Sequence, residues 1–325
     1  MKKDSKIYVA GHRGLVGSTI FQKLQKEGYH NLIVKSFDEL NLMRQTDVEQ
    51  FFQKEQPEYV FLAAAKVGGI LANNTYPAEF IYNNLTIQNN IIYSSWKTGV
   101  KRLLFLGSSC IYPRDCPQPM KEGYLLTAPL EPTNEPYAIA KIAGIKTCQS
   151  FNRQYNTRFL AVMPTNLFGP NDNFDLKTSH VLPALIRKYH EAKIKSDQTG
   201  ERQDVEIWGT GTPRREFLYV EDLAEACCFI MNLDNELFEP IFQDGQTPLI
   251  NIGFGKDISI QELAVTIQEI VGFDGDIHFD RTKPDGTPQK LLDISKIQNL
   301  GWKPATSLKE GIRKTYRWCI ENSIF

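Results

Sequence analysis

Tyr137 and Lys141, in the run YAIAK, stand four positions apart, so both project from one face of a helix. An ammonium beside a phenol favours the phenolate, which predicts a tyrosine pKa drawn down from about 10 and an acid able to protonate a carbonyl oxygen. Such a pair on its own is common on helices and is more often structural. Ser108, in the run GSSCIYP, can give a second hydrogen bond to the same oxygen, and the three together are specific. Cys110 lies two residues further on. A thiol with an ordinary pKa of about 8.5 can carry protons near neutrality once positioned, although a cysteine at a strand end is usually a small buried hydrophobe.

A second group of residues forms a glycine turn. Gly11, Gly14 and Gly17 in GHRGLVG follow an apolar run and open a helix, the arrangement that lets backbone approach a pyrophosphate at a helix N-terminus. An acid about 20 residues after such glycines marks NAD, whereas here Lys35 comes first. With Arg13 inside the turn it can face a 2′-phosphate, so NADP(H) is the expected cofactor.

Short apolar runs alternating with amphipathic stretches must position these residues, a pattern that predicts strand-helix-strand units and a parallel sheet. Strands are expected at Ile7–Ala10, Leu32–Val34, Tyr59–Ala63, Arg102–Leu106 and Phe159–Met163. Helices are expected before Gly28, from about Ala78 to Thr98 and from about Asn134 to Tyr155. Ser108 and Cys110 then lie at the carboxyl end of a strand, the edge at which open parallel sheets bind ligands. After Pro164 the stretch NLFGPNDNFDLKTSH reads as a loop and His180 to Ala192 as a helix, followed by a polar connection, IKSDQTGERQD. FLYVEDLAEACCFIMN reads as one more strand and helix of the first domain. The expected architecture is α/β: a Rossmann doubly wound parallel sheet over residues 1–170 with a return segment near 215–250, and a smaller C-terminal α/β substrate domain over 171–325.

GHRGLVG, VGGI, GSSCIYP, EPTNEPYAIAKIAG, MPTNLFGPNDNF, SHVLPAL, WGTGTPRREFLYVEDLA and KPDGTPQKLLD span nearly the whole chain. On these runs the sequence resembles the extended short-chain dehydrogenase/reductases, and within them the branch that epimerises and reduces a GDP-linked 4-keto-6-deoxy sugar. The resemblance implies NADPH as hydride donor, Ser108, Tyr137 and Lys141 as a reductase triad, and Cys110 with His180 as an acid/base pair for epimerisation. It implies a dinucleotide held by Gly11, Arg13, Gly14, Leu15, Val16, Gly17, Lys35, Leu106, Tyr137, Lys141, Pro164, Asn166, Leu167 and His180. For the substrate, GDP-4-keto-6-deoxy-D-mannose, it points to Lys188, Trp208, Arg215 and Asp285; it also implies a homodimer packed through helices of the cofactor domain. Relatives often carry an arginine where this chain has Phe37, which leaves the 2′-phosphate to Arg13 and Lys35.

The chemistry of a 4-keto sugar fits this set. Hydrogens on both carbons flanking the ketone are acidic, so inverting them needs a base on one face, an acid on the other and a stabilised enolate oxygen. The same oxygen gathers charge during reduction, so Tyr137 and Ser108 can serve both. Dehydratases of the superfamily carry an Asp-Glu pair after this serine; Cys110-Ile111 replaces it, which disfavours loss of water. His180, at a helix start and able to titrate near neutrality, is the partner base or acid. Unaided by the resemblance, His180 reads as an exposed helix-start histidine, and Arg187, Lys188, Arg214 and Arg215 as solvated charges.

Composition narrows the rest. The 325 residues are 42% hydrophobic and carry 37 Lys+Arg against 38 Asp+Glu, which argues against a nucleic-acid surface. No apolar run approaches the ~18 residues of a membrane span, so a cytoplasmic location and no membrane partner are expected. The 6 cysteines fall in no metal-ligand or disulfide spacing, so no metal is expected. An epimerase that keeps NAD and returns the hydride would use the same three residues. A non-catalytic dinucleotide sensor would keep the glycine turn without needing Ser108, Tyr137 and Lys141 intact.

Overall fold

The computed structural model describes every residue except 177, 244, 245 and 284, and the backbone alone of residue 70. Its first layer is a six-stranded parallel sheet. β1 (Ile7–Ala10) leads through α1 (Leu15–Lys26) to β2 (Leu32–Ile33), and α2 (Gln45–Glu55) leads to β3 (Tyr59–Leu62). The short α3 (Ile70–Thr75) and the long α4 (Pro77–Lys97) precede β4 (Arg102–Leu106), and α5 (Glu135–Tyr155) precedes β5 (Phe159–Pro164). The last strand, β9 (Leu249–Ile252), arrives much later in the chain and closes the order β2-β1-β3-β4-β5-β9. Every residue of β1, β5 and β9 is buried, as expected of strands covered on both faces. The order reverses between β1 and β3, and a crevice opens at the carboxyl ends of such neighbours.

The second layer begins after β5. β6 (Asn166–Phe168) turns a residue triplet of the expected loop into a strand, and α6 (Val181–Thr199) runs on to Gly200, whose φ of +70° ends it. The expected polar connection from Ile194 to Thr199 is thus the last turns of α6, because an exposed polar face does not interrupt a helix and a left-handed glycine does. Residue 177, within the expected loop, lies outside the described residues. β7 (Val205–Trp208) pairs in parallel with β11 (Ile277–Asp280), while β8 (Arg214–Tyr219) joins β6, β10 (Asp257–Ser259) and β12 (Gln289–Lys290).

The strand and helix expected of the first domain at FLYVEDLAEACCFIMN divide between the two layers. β8 belongs to the second sheet, whereas α7 (Val220–Asn232) packs on α1. Alternation of side chains explains it: Phe217 and Tyr219 enter the second core and Leu218 the first. No helix among the described residues is long and apolar enough to cross a membrane.

One buried amide fastens β9 to the loop after β4 and to the chain after β12. Asn251 on β9 accepts a hydrogen bond from the Tyr112 hydroxyl at 2.5 Å and donates from Nδ2 to the carbonyls of Met120 (2.9 Å) and Asp293 (3.1 Å). Its own N–H donates to Glu122 Oε1 at 2.9 Å. Replacing it by Leu leaves a buried hydroxyl and two carbonyls without this partner. Asn251→Leu is expected to lower stability by about 2–4 kcal/mol, read as a lower urea midpoint with an unchanged denaturant slope.

Candidate active site

A cleft of about 800 Å³ opens at the carboxyl ends of β1, β3, β4 and β5. One end is the glycine turn. Gly11 has φ +86°, and a Cβ there would stand 2.7 Å from the Ala64 nitrogen; a Cβ on Gly17 would stand 2.1 Å from the Gly11 carbonyl oxygen. The turn therefore brings α1 hard against the strand ends. Gly14 flanks α1 without a side-chain cap, and the first turn holds no acidic residue. The helix N-terminus is left open to an anion, and the Nδ1 atom of His12 beside it is buried with no hydrogen-bond partner among the described residues. These features fit a dinucleotide diphosphate.

The cleft walls include each side chain that the resemblance implied for the dinucleotide, from Gly11–Gly17 past Lys35 to Leu106, Tyr137 and Lys141, and on to Pro164, Asn166, Leu167 and His180. The two cations differ. Arg13 is exposed and makes no ion pair among the described residues, whereas Lys35 lies 3.5 Å from Glu39. Glu39 is itself held down to about 2, first by the Ser36 N–H and hydroxyl and then by Lys35. Phe37 is exposed at the cleft edge.

At the other end the Ser108 hydroxyl bears on both Tyr137 and Cys110, drawing each down against the effect of burial. Lys141 does not act on the phenol as its spacing suggested. Its Nζ donates to the Leu106 carbonyl at 2.8 Å and lies 5.7 Å from the Tyr137 ring centre. Burial holds Lys141 down to about 8 and pushes Tyr137 well above the ordinary phenol range, so the tyrosine keeps its proton. Burial likewise raises Cys110, against the Ser108 hydroxyl and the charges of Lys290 and Lys141. His180 stands exposed at the start of α6, as the sequence read without the resemblance has it, and lines the cleft, where the protein around it lowers it below the usual imidazole value. The shift favours the neutral ring.

Two positioning features were not read from the sequence. A Cβ on Gly69 would stand 3.0 Å from the carbonyl oxygens of both Thr178 and Ser179, and the Gly69 N–H donates to Thr178 at 3.0 Å. The VGGI run is thus the seat of the segment that delivers His180. The edge of Phe80 meets the Tyr137 ring with centres 6.0 Å apart.

The residues implied for the nucleotide sugar lie off this cleft, in the second layer. Lys188 Nζ donates to the Glu206 carbonyl on β7 at 2.9 Å, and Trp208 ends the same strand, 64% exposed. Asp285 holds Thr210 through its N–H (2.9 Å) and hydroxyl (2.7 Å), and its charge reaches Arg215. Arg187 and Arg214 are committed elsewhere, to Glu191 at 2.6 Å and to Asp257 at 2.8 Å. Lys290, to which the sequence drew no attention, stands opposite Arg215 in the ladder and within the field of Cys110.

Comparison with known proteins defines the class. Residues 7–243 match the NAD dependent epimerase/dehydratase family, and the chain belongs to it. More particularly, the chain is 56% identical over 320 residues to GDP-L-fucose synthase 1 of Arabidopsis thaliana, covering 98% of this chain and 94% of that one. It is 52% identical over 319 residues to the GDP-L-fucose synthase of Escherichia coli (strain K12), covering 98% and 97%. Among solved structures, an NADP-bound GDP-mannoheptose C4 reductase from Campylobacter jejuni superposes with a TM-score of 0.88 at 43% identity, covering 98% of this chain and 99% of that one.

The buried ammonium of Lys141 makes a checkable demand on stability. Its folded value of about 8 lies below the ordinary 10.5, so the unfolded chain binds the proton more tightly. The cost is present in full below about pH 8 and fades as pH rises toward 10.5. Lys141→Met, which also forfeits the Leu106 hydrogen bond, is expected to be more stable than the parent at pH 7 by about 1–2 kcal/mol. The gain should vanish or reverse by pH 10 in melting curves.

Proposed function

We propose that the protein carries GDP-L-fucose synthase activity, converting GDP-4-keto-6-deoxy-D-mannose to GDP-L-fucose by epimerisation at C3 and C5 and reduction at C4. The observation that supports this most directly is Ser108, whose hydroxyl bears on both the tyrosine suited to a C4 oxygen and the thiol suited to the adjacent ring protons. One sugar position then meets both sets of groups. NADPH, for which the glycine turn, the uncapped α1 and Arg13 provide, supplies the hydride when bound.

Burial keeps Tyr137 protonated, which is the state a donor to the C4 oxygen needs. Tyr137 and Ser108 hold the negative charge that develops on that oxygen when a ring proton leaves and again when C4 is reduced, and the Tyr137 proton passes to it in the reduction. Cys110, as thiolate, takes the proton from C3 while His180 returns one from the opposite face; the thiol then releases its proton to water and the same exchange is repeated at C5. A neutral imidazole has one N–H to give and one nitrogen to refill from water. Lys188, Trp208, Arg215 and Asp285 are assigned to the nucleotide end of the substrate. The outer faces of α4 and α5 expose Tyr82, Tyr93, Ile139 and Tyr155, an apolar surface suited to a second copy of the chain. All six cysteines are free, which suits the cytoplasm.

Tyr137→Phe is expected to lose roughly 10²–10³ in kcat for NADPH oxidation, the value of one oxyanion donor, while NADPH binding persists; near-normal oxidation removes Tyr137 from its role. The proton traffic divides differently. In heavy water without NADPH, Cys110→Ser should stop deuterium entering C3 and C5, since a hydroxyl is a far weaker base. His180→Gln should keep part of that exchange and lose inversion. Exchange at the parent rate in Cys110→Ser would make the thiol a packing residue.

A further inference from the structure

Lys35 and Ser36 stand just beyond β2, and both line the cleft. Neither is free. Glu39 follows Gly17 by about 20 residues, the separation at which a dinucleotide fold carries the acid that binds a ribose 2′-hydroxyl. Its Oε2 accepts from the Ser36 N–H and from the Ser36 hydroxyl, each at 2.8 Å, and its Oε1 lies 3.5 Å from Lys35 Nζ. The Leu40 N–H closes the turn on the Ser36 carbonyl at 3.0 Å. A serine with a glutamate three positions on is also a common way to begin a helical turn, but that pattern asks nothing of a lysine.

A phosphate arriving at Lys35 has to compete with this carboxylate. The Ser36 donors are both taken by it, Phe37 brings an exposed apolar ring to the cleft edge, and Asp38 adds a second exposed acid beside Glu39. Arg13, with no ion pair among the described residues, is left as the uncommitted cation. A ribose hydroxyl meets the opposite situation. Glu39 is already held in place by Ser36, and a carboxylate so fixed is an acceptor for a hydroxyl at little further cost in side-chain freedom. The ion pair with Lys35 is exposed and long, so a 2′-phosphate weakens it without being shut out.

We propose that Glu39 is a specificity-determining residue that narrows the choice between NADPH and NADH: it draws Lys35 away from a 2′-phosphate and offers its carboxylate to a 2′-hydroxyl, so that NADH competes with NADPH for the cleft. Arg13 leaves NADPH the better ligand. Dinucleotide binding alone reports this, whichever sugar the enzyme turns over.

The test is calorimetric titration of the whole protein with NADP+ and with NAD+ at one ionic strength. Glu39→Gln keeps an acceptor for Ser36 and removes the charge; it is expected to bind NADP+ about fivefold more tightly than the parent and NAD+ no better. In a Lys35→Met background the same substitution should leave the gap between the two dinucleotides where it was, because the cation in contention is gone. Glu39→Ala gives the same comparison should the glutamine variant fold poorly. A turn that serves packing alone would move both dinucleotides together. That equal shift, an unchanged gap in Glu39→Gln, or a full widening of the gap without Lys35 overturns the proposal.

Discussion

Burial of ionisable side chains at the carboxyl end of β4 is the constraint to which the rest of the fold answers. Tyr137, Cys110, Lys141 and His180 are each driven toward the neutral form by the protein around them. The site is therefore costly to fold, and its charges appear only where a neighbour compensates them. A ligand oxygen that gains negative charge meets fixed donors with little water to compete, which is the condition under which such donors matter most. Rigidity elsewhere serves this end. Asn251 and the lacing of residues 118–120 to 291–293 hold the thiol loop, and Gly69 seats the His180 segment.

The two layers divide the labour along β8. Its alternating side chains feed both cores, and its residue Arg215 stands beside Lys290, whose charge reaches Cys110. The residues assigned by resemblance to the sugar nucleotide, Arg215 among them, thus stand outside the dinucleotide cleft. Glu216, fully buried on β8, accepts from the N–H groups of Gly255 at 2.6 Å and Leu292 at 3.0 Å, so β8 is fastened to the chain just beyond β9 and just beyond β12.

Much of this was legible in the sequence, for physical reasons. Ile7–Ala10, Arg102–Leu106 and Phe159–Met163 announce themselves because strands buried on both faces are continuously apolar, and the Tyr137–Lys141 spacing survives because a helix imposes it. What escaped depends on distant parts of the chain. The direction of the Tyr137 and His180 shifts follows from the protein that the fold gathers around them, which no local run encodes. α6 outran its expected end because its last turns are polar on an exposed face. β8 was assigned to the wrong layer because alternation does not say which core receives which side. Lys290 was silent because a two-residue strand carries no periodicity, and Lys188, Trp208, Arg215 and Asp285 were reached by resemblance, not by spacing.

A GDP-mannoheptose C4 reductase shares this fold, so the product's configuration is what separates reduction alone from epimerisation with reduction. The central claim is that one site performs both on one sugar. The direct measurement is to supply GDP-4-keto-6-deoxy-D-mannose and NADPH in heavy water and to determine the product's configuration and label by NMR and mass spectrometry. The expected product is GDP-L-fucose with deuterium at both C3 and C5, formed as NADPH is oxidised in equal amount. A reduced sugar that keeps the original ring configuration and carries no deuterium at those carbons would contradict it.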